Sequence, residues 1–137
     1  TSVREGYLKA FRAVSGQRFG WSVAVAANLT HEVVAVGAPY SMTGSPYGSE
    51  ASLAMAYDVA LTGGGKGSEG EVWTFAHVVG GGAGTWRAAH RVKAPSGLAG
   101  EHFGWTLTAG VTADGAQFML GIGTVKGCKG YVVTLPP

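Results

Sequence analysis

Apolar and polar positions alternate along most of this chain in short runs. Trp21, Val23 and Val25 are separated by Ser22, Ala24 and Ala26. A period of two predicts a strand with large side chains on one face and small ones on the other. Val33 to Val36 is apolar at every position, which predicts a central strand covered on both faces. Eight runs qualify as strands: Tyr7–Phe11, Phe19–Ala27, Glu32–Ala38, Glu71–Val79, Trp86–Ala94, Phe103–Val111, Gln117–Gly123 and Tyr131–Leu135. The connections carry turn residues. Asp114-Gly115 between two apolar runs is the strongest short hairpin signal. Leu53, Met55, Tyr57, Val59 and Leu61 alternate strictly with small or polar residues and predict a further strand, although Leu53, Tyr57 and Leu61 also fall at helical spacing. A glycine-rich loop is expected from Gly63 to Gly70.

The pattern repeats. Phe19-Gly20-Trp21 recurs as Phe103-Gly104-Trp105, an offset of 84 (19 to 103). The same offset aligns Leu8-Lys9-Ala10 with Val92-Lys93-Ala94 and Val34-Ala35-Val36-Gly37 with Phe118-Met119-Leu120-Gly121. Beyond that the offset falls to 60 (70 to 130), aligning Gly70, Val72 and Thr74 with Gly130, Val132 and Thr134. The first copy therefore carries an insertion between Pro39 and Gly70. Tandem four-stranded antiparallel units predict an all-β chain made of two blades of a β-propeller. The first blade is expected over 1–80, with its insertion at about 41–68, and the second over 81–137.

Phe19-Gly20 followed by Gly37-Ala38-Pro39, with Tyr7-Leu8-Lys9-Ala10 ahead of them, resembles the FG-GAP repeat, which builds the propeller of integrin α-subunits. In the second copy Phe103-Gly104 is intact and Gly121-Ile122-Gly123 stands in place of the second motif. The resemblance implies that Phe19, Gly20, Trp21, Gly37, Ala38, Pro39, Phe103, Gly104 and Trp105 are structural repeat positions. It also implies a non-catalytic protein- or glycan-binding adhesion module, secreted or at the cell surface. Many such repeats hold calcium between their second and third strands, a site that needs several carboxylates. Neither Ala27–Glu32 nor Val111–Ala116 supplies more than one, so the short, calcium-free type is expected, with no metal and no cofactor.

Composition narrows the chemistry. Hydrophobic residues make up 46% of the 137, which suits a packed domain rather than a disordered chain. Net charge is +2 with 13% charged residues and no Lys/Arg run, so no nucleic-acid partner is expected. No apolar stretch reaches the ~20 residues of a membrane helix. Cys128 is the only cysteine, which excludes an intrachain disulfide. The start at Thr1 reads as a processed form or a piece of something longer.

Enzyme signatures are missing. His31, His77, His90 and His102 show no metal-ligand spacing, and no Gly-x-Ser-x-Gly elbow occurs. Gly65-Lys66-Gly67-Ser68 lacks the hydroxyl directly after the lysine that a phosphate loop uses on magnesium. No catalytic residue is assigned. Asn28-Leu29-Thr30 is an N-glycosylation sequon on a turn, and Asn28 is the sole Asn. The four Trp suggest either a sugar-binding surface or packing between blades. Trp21 and Trp105 stand at equivalent places, which favours packing.

Two blades do not close a ring, since propellers use four to eight. Leaving about six large side chains bare forgoes on the order of 10 kcal/mol, which rivals a domain's whole stability. Further blades, self-association or a protein partner is therefore expected to complete the ring. The alternative function is a structural subunit of a larger assembly that uses these open faces.

Overall fold

The computed structural model describes residues 8–9, 16–41, 69–81, 86–95, 100–125 and 129–137. The strand expected from Leu53 to Leu61, most of the one at Tyr7–Phe11, and Cys128 lie outside these residues.

The described chain is all-β and contains no helix; none is thus long and apolar enough to cross a membrane. Seven strands follow in order: β1 Ser22–Ala27, β2 His31–Ala38, β3 Glu71–Val78, β4 Arg87–Lys93, β5 Thr106–Val111, β6 Phe118–Gly123 and β7 Gly130–Leu135. They form two antiparallel meanders, a four-stranded sheet β1-β2-β3-β4 and a three-stranded sheet β5-β6-β7. Both sheets are open. The strand expected to begin the second unit, β4, instead pairs with β3 from Glu71↔Lys93 to Ala76↔Arg87, with a register irregularity between Thr74 and Phe75. Residues 79–86 connect β3 to β4. A sequence repeat is silent on which neighbour a strand joins.

The registers also revise the repeat. Ser22 faces Gly37 across β1/β2, and Thr106 faces Gly123 across β5/β6. Gly20 N–H donates to Gly37 O at 3.1 Å, and Gly104 N–H donates to Gly123 O at 3.2 Å. Gly37 thus corresponds to Gly123 (offset 86) rather than to Gly121, because the second hairpin loop is two residues longer. Val36↔Trp73 likewise corresponds to Ile122↔Tyr131, an offset of 58 for the third strand. Both shifts are even, so the faces assigned to each residue do not change.

Each strand contributes alternate residues to the contact between the sheets. Ala35 and Val72 of the first sheet pack with Phe103, in the turn before β5, and with Leu120 and Ile122 of the second sheet, and Val33 and Ala76 pack with Phe118. β2 is covered on both faces, as its continuous apolar run predicts. Its other face joins Trp73 and Phe75 under Leu8, Phe19 and Trp86. On β1 the outcome is less usual. The small residues Ala24 and Ala26 turn inward, while Val23 and Val25 are 56% and 67% exposed.

The sheets are joined at both ends. At one end Ser22 Oγ donates to Gly104 O at 2.6 Å. At the other, Asn28 Nδ2 donates to Gly115 O at 2.8 Å.

Candidate functional site

The Phe-Gly dipeptides form turns for a definable reason. Trp21 N–H donates to Arg18 O at 3.1 Å, and Trp105 N–H donates to His102 O at 3.0 Å. The third residue of each four-residue turn has a positive φ, +92° at Gly20 and +93° at Gly104. That geometry suits glycine. Phe19 packs edge-on to Phe75, with centroids 6.1 Å apart, and Phe103 packs on Tyr131 at 5.4 Å. Each Phe therefore anchors its turn on the third strand of its own sheet.

The residue after each glycine is a Trp, and the two turns lie side by side. The Trp21 and Trp105 rings meet with centroids 4.7 Å apart. Tyr40, from the turn that ends β2, stands 6.1 Å from Trp21 and 6.3 Å from Trp105. His102 lies 4.7 Å from Tyr40 and 5.7 Å from Trp105. The Arg18 guanidinium carbon is 4.8 Å from the Tyr40 centroid and 5.4 Å from that of Trp21. Trp21 remains 43% exposed, Arg18 is exposed, and the other three rings are half-buried. The two Trp do span the sheets, as packing between units requires, but they do so at the surface. Such a cluster presents flat apolar faces beside a fixed cation and an imidazole.

A buried carboxylate steadies this arrangement from below. Glu71, 1% exposed, accepts hydrogen bonds from Gln17 Nε2 at 3.2 Å and Ser41 Oγ at 2.5 Å, and pairs with Arg91 Nε. Gln17 immediately precedes Arg18, and Ser41 immediately follows Tyr40. One carboxylate thus ties down both segments whose side chains meet in the cation–π contact. Ser41 N–H also donates to Ala38 O at 3.0 Å, closing the turn that carries Tyr40. His102 contacts Pro39 O through Nδ1 at 3.1 Å.

The repeat positions read from sequence are brought together here: Gly37, Ala38, Pro39, Phe103 and Gly104 are buried, and Phe19 is half-buried. Gly37 lets the sheets touch. A Cβ there would stand 2.3 Å from Gly104 O. Arg18, Tyr40 and His102 were not signalled by any motif. The available hint was positional, since Arg18 and His102 occupy the same place in each copy, just before Phe-Gly.

Asn28 lies at the opposite end. Its Oδ1 accepts from Thr30 N at 2.9 Å and His31 N at 2.7 Å, and its Nδ2 makes the bond to Gly115. The amide of the sequon thus shapes its own turn and fastens it to the second sheet. In the equivalent loop Asp114 Oδ1 accepts from Thr112 Oγ1 at 2.6 Å and Ala116 N at 3.0 Å. These bonds, the Thr112 hydroxyl first, hold the exposed Asp114 carboxyl below its ordinary 3.8. Of the remaining histidines, His77 stacks on Trp86 at 4.6 Å and lies 3.6 Å from Glu32, and His90 contacts Pro136 O at 2.9 Å. Among the described residues no three His, Cys, Asp or Glu gather where they could hold a metal ion.

No protein-family model and no curated protein matches this chain.

Proposed function

We propose that this chain is a non-catalytic binding module of the FG-GAP propeller type, acting outside the cell or at its surface, and that it takes a carbohydrate on the Trp21–Tyr40–Trp105 cluster. One observation carries the reading. Equivalent turns of two sheets converge to hold aromatic rings half-open to solvent with a guanidinium among them. Indole and phenol rings offer large, rigid contact area at low entropic cost. A pyranose presents an apolar C–H face that suits them, while Arg18 and His102 offer donors to its hydroxyls. The bonds from Gln17 and Ser41 to Glu71 favour pre-organisation of the two segments, which lowers the cost of binding.

Tryptophan fluorescence during titration with a panel of neutral and acidic oligosaccharides tests this. Saturable quenching or a spectral shift, lost in Trp21→Ala and weakened in Arg18→Ala, is the expected result. Binding that survives Trp21→Ala, or no response to any saccharide, would overturn it. Response to peptides alone would move the module to the protein-binding class.

A second reading, a structural subunit of a larger assembly, is favoured by the bare Val23 and Val25 on β1.

A further inference from the structure

The contact between the two sheets is made by unlike faces, and the chain carries a spare copy of each. The second sheet presents large residues, row by row across its strands: Leu107, Ile122 and Tyr131; Ala109, Leu120 and Val133; Val111, Phe118 and Leu135. The first sheet answers with small ones: Ser22, Gly37 and Val72; Ala24, Ala35 and Thr74; Ala26, Val33 and Ala76. A large face therefore seats on a small face.

By the observed registers, the first sheet's opposite side is the counterpart of the large face. Its rows are Val23, Val36 and Trp73; Val25, Val34 and Phe75; Ala27, Glu32 and His77. Trp73 and Phe75 are covered by Leu8, Phe19 and Trp86, while Val23 and Val25 are bare. Val25, Ala27, Val34 and Trp86 line a groove of about 560 Å³. The opposite side of the second sheet is the counterpart of the small face. Its rows are Thr106, Gly123 and Gly130; Thr108, Gly121 and Val132; Gly110, Met119 and Thr134. It is open, with Val132 72% exposed.

Gly20 strengthens the correspondence. Its counterpart Gly104 is pressed against the first sheet, where a Cβ would lie 3.0 Å from Glu71 O and Val72 Cγ2. Gly20 has the same φ with nothing within 4 Å of its own Cβ position. Ser22, which donates to Gly104 O inside the chain, has Thr106, another hydroxyl, as its counterpart on the open small face.

We propose that the bare β1 edge of the first sheet's large face, Val23 and Val25, binds the open small face of the second sheet in another copy of this chain, repeating between molecules the β1–β5 part of the internal contact. β1 of one copy then lies against β5 of the next, as β1 lies against β5 within the chain. The contact is head-to-tail, so copies join into a closed ring or a fibre rather than a two-fold dimer. Glu32 stands where the internal contact has Phe118, which makes the intermolecular version wetter and more readily reversible. The inference is independent of the carbohydrate reading.

Light scattering on size-exclusion fractions of the full chain tests it. Wild type is expected at a multiple of 13.9 kDa. Val25→Lys, on the large face, and Thr108→Lys, on the small face, are each expected at 13.9 kDa. Mixed one to one, they should give a particle of twice that mass and no larger, because each variant keeps the face that the other has lost. A two-fold dimer cannot do this. Circular dichroism checks that both variants fold, and Val23→Lys with Thr106→Lys serves as a second pair if either does not. A monomeric wild type, a single variant that keeps the wild-type mass, or a mixture that stays at 13.9 kDa would overturn the proposal.

Discussion

Arg18 and His102 occupy the same place in the two sheets, and both are held at positive φ, 58° and 56°. They are the only non-glycine residues among those described with that backbone. An L-residue there costs about 1–2 kcal/mol. Both side chains belong to the aromatic cluster, so the strain falls where the binding groups are displayed.

Arg18→Asn should separate these roles. Asn tolerates the left-handed conformation better than Arg, which offsets the ~0.5–1 kcal/mol of exposed cation–π contact that is lost. Stability in urea should stay within about 0.5 kcal/mol of wild type, while the saccharide response weakens. A large loss of stability would mean that Arg18 is chiefly a structural residue.

The three glycines of the turn-to-sheet contact should rank by their surroundings. Gly20→Ala meets only the φ penalty of about 1–2 kcal/mol, since nothing lies near its Cβ position. Gly104→Ala adds contacts at 3.0 Å with Glu71 O and Val72 Cγ2 and should cost more. Gly37→Ala places a methyl 2.3 Å from Gly104 O, a backbone atom, and 2.3 Å from Ser22 Oγ, which is hydrogen-bonded to that same oxygen, and should cost most. Midpoints of chemical denaturation give the order directly.

Removing Arg91 leaves the buried Glu71 carboxylate short of a charged donor. Arg91→Met should destabilise by about 1.5–3 kcal/mol, the scale of hydrogen bonds to charged groups. Arg91 is itself 42% exposed, so the lower half of that range is expected. Glu71→Ala should do more to the site, freeing Gln17 and Ser41 together. Trp21 emission would then move toward that of a fully solvated indole.

Asp114 gives the second hairpin loop a pH dependence. Its folded pKa lies below the ordinary 3.8. The carboxylate's contribution is therefore fully present above the unfolded value and is lost as pH falls through the folded one. Asp114→Asn should be less stable than wild type at neutral pH, and the difference should shrink below about pH 4. A difference that stays constant down to pH 2 would show that the Thr112 and Ala116 bonds do not depend on the charge.

Much of the fold was legible in the sequence. Short apolar runs and their repetition located the seven described strands, and the continuous apolar run marked β2 as central. Three features were not legible, each for a physical reason. The side that β4 joins is decided by chain connectivity, which a repeat unit does not encode. The choice between Gly121 and Gly123 as the counterpart of Gly37 depends on hydrogen-bond register. Both alternatives put the same side chains on the same face, so hydrophobic pattern is blind to the difference. Alternation put Val23 and Val25 on a large-residue face without saying where it points, and the small residues between them are the ones that meet the second sheet. The site itself was half visible. The Trp repeat was plain, but Tyr40 enters through a turn 19 residues from Trp21 (21 to 40), a proximity that only the folded backbone creates.

The packing between the sheets is thinner on one side than on the other. At β1 and β5, Ser22 and Ala24 let the strands lie close, while toward β7 the larger Val72, Val92, Tyr131 and Val133 share one apolar cluster. The pair of sheets is thus a wedge, with its thin edge along β1 and β5. A stack of parallel-sided slabs grows straight, whereas wedges laid thick side to thick side turn through a fixed angle at every step. The volumes of a few side chains on β3, β6 and β7 therefore act as a protractor. Trimming Tyr131 or Val133 would flatten the wedge and bring the two sheets nearer to parallel.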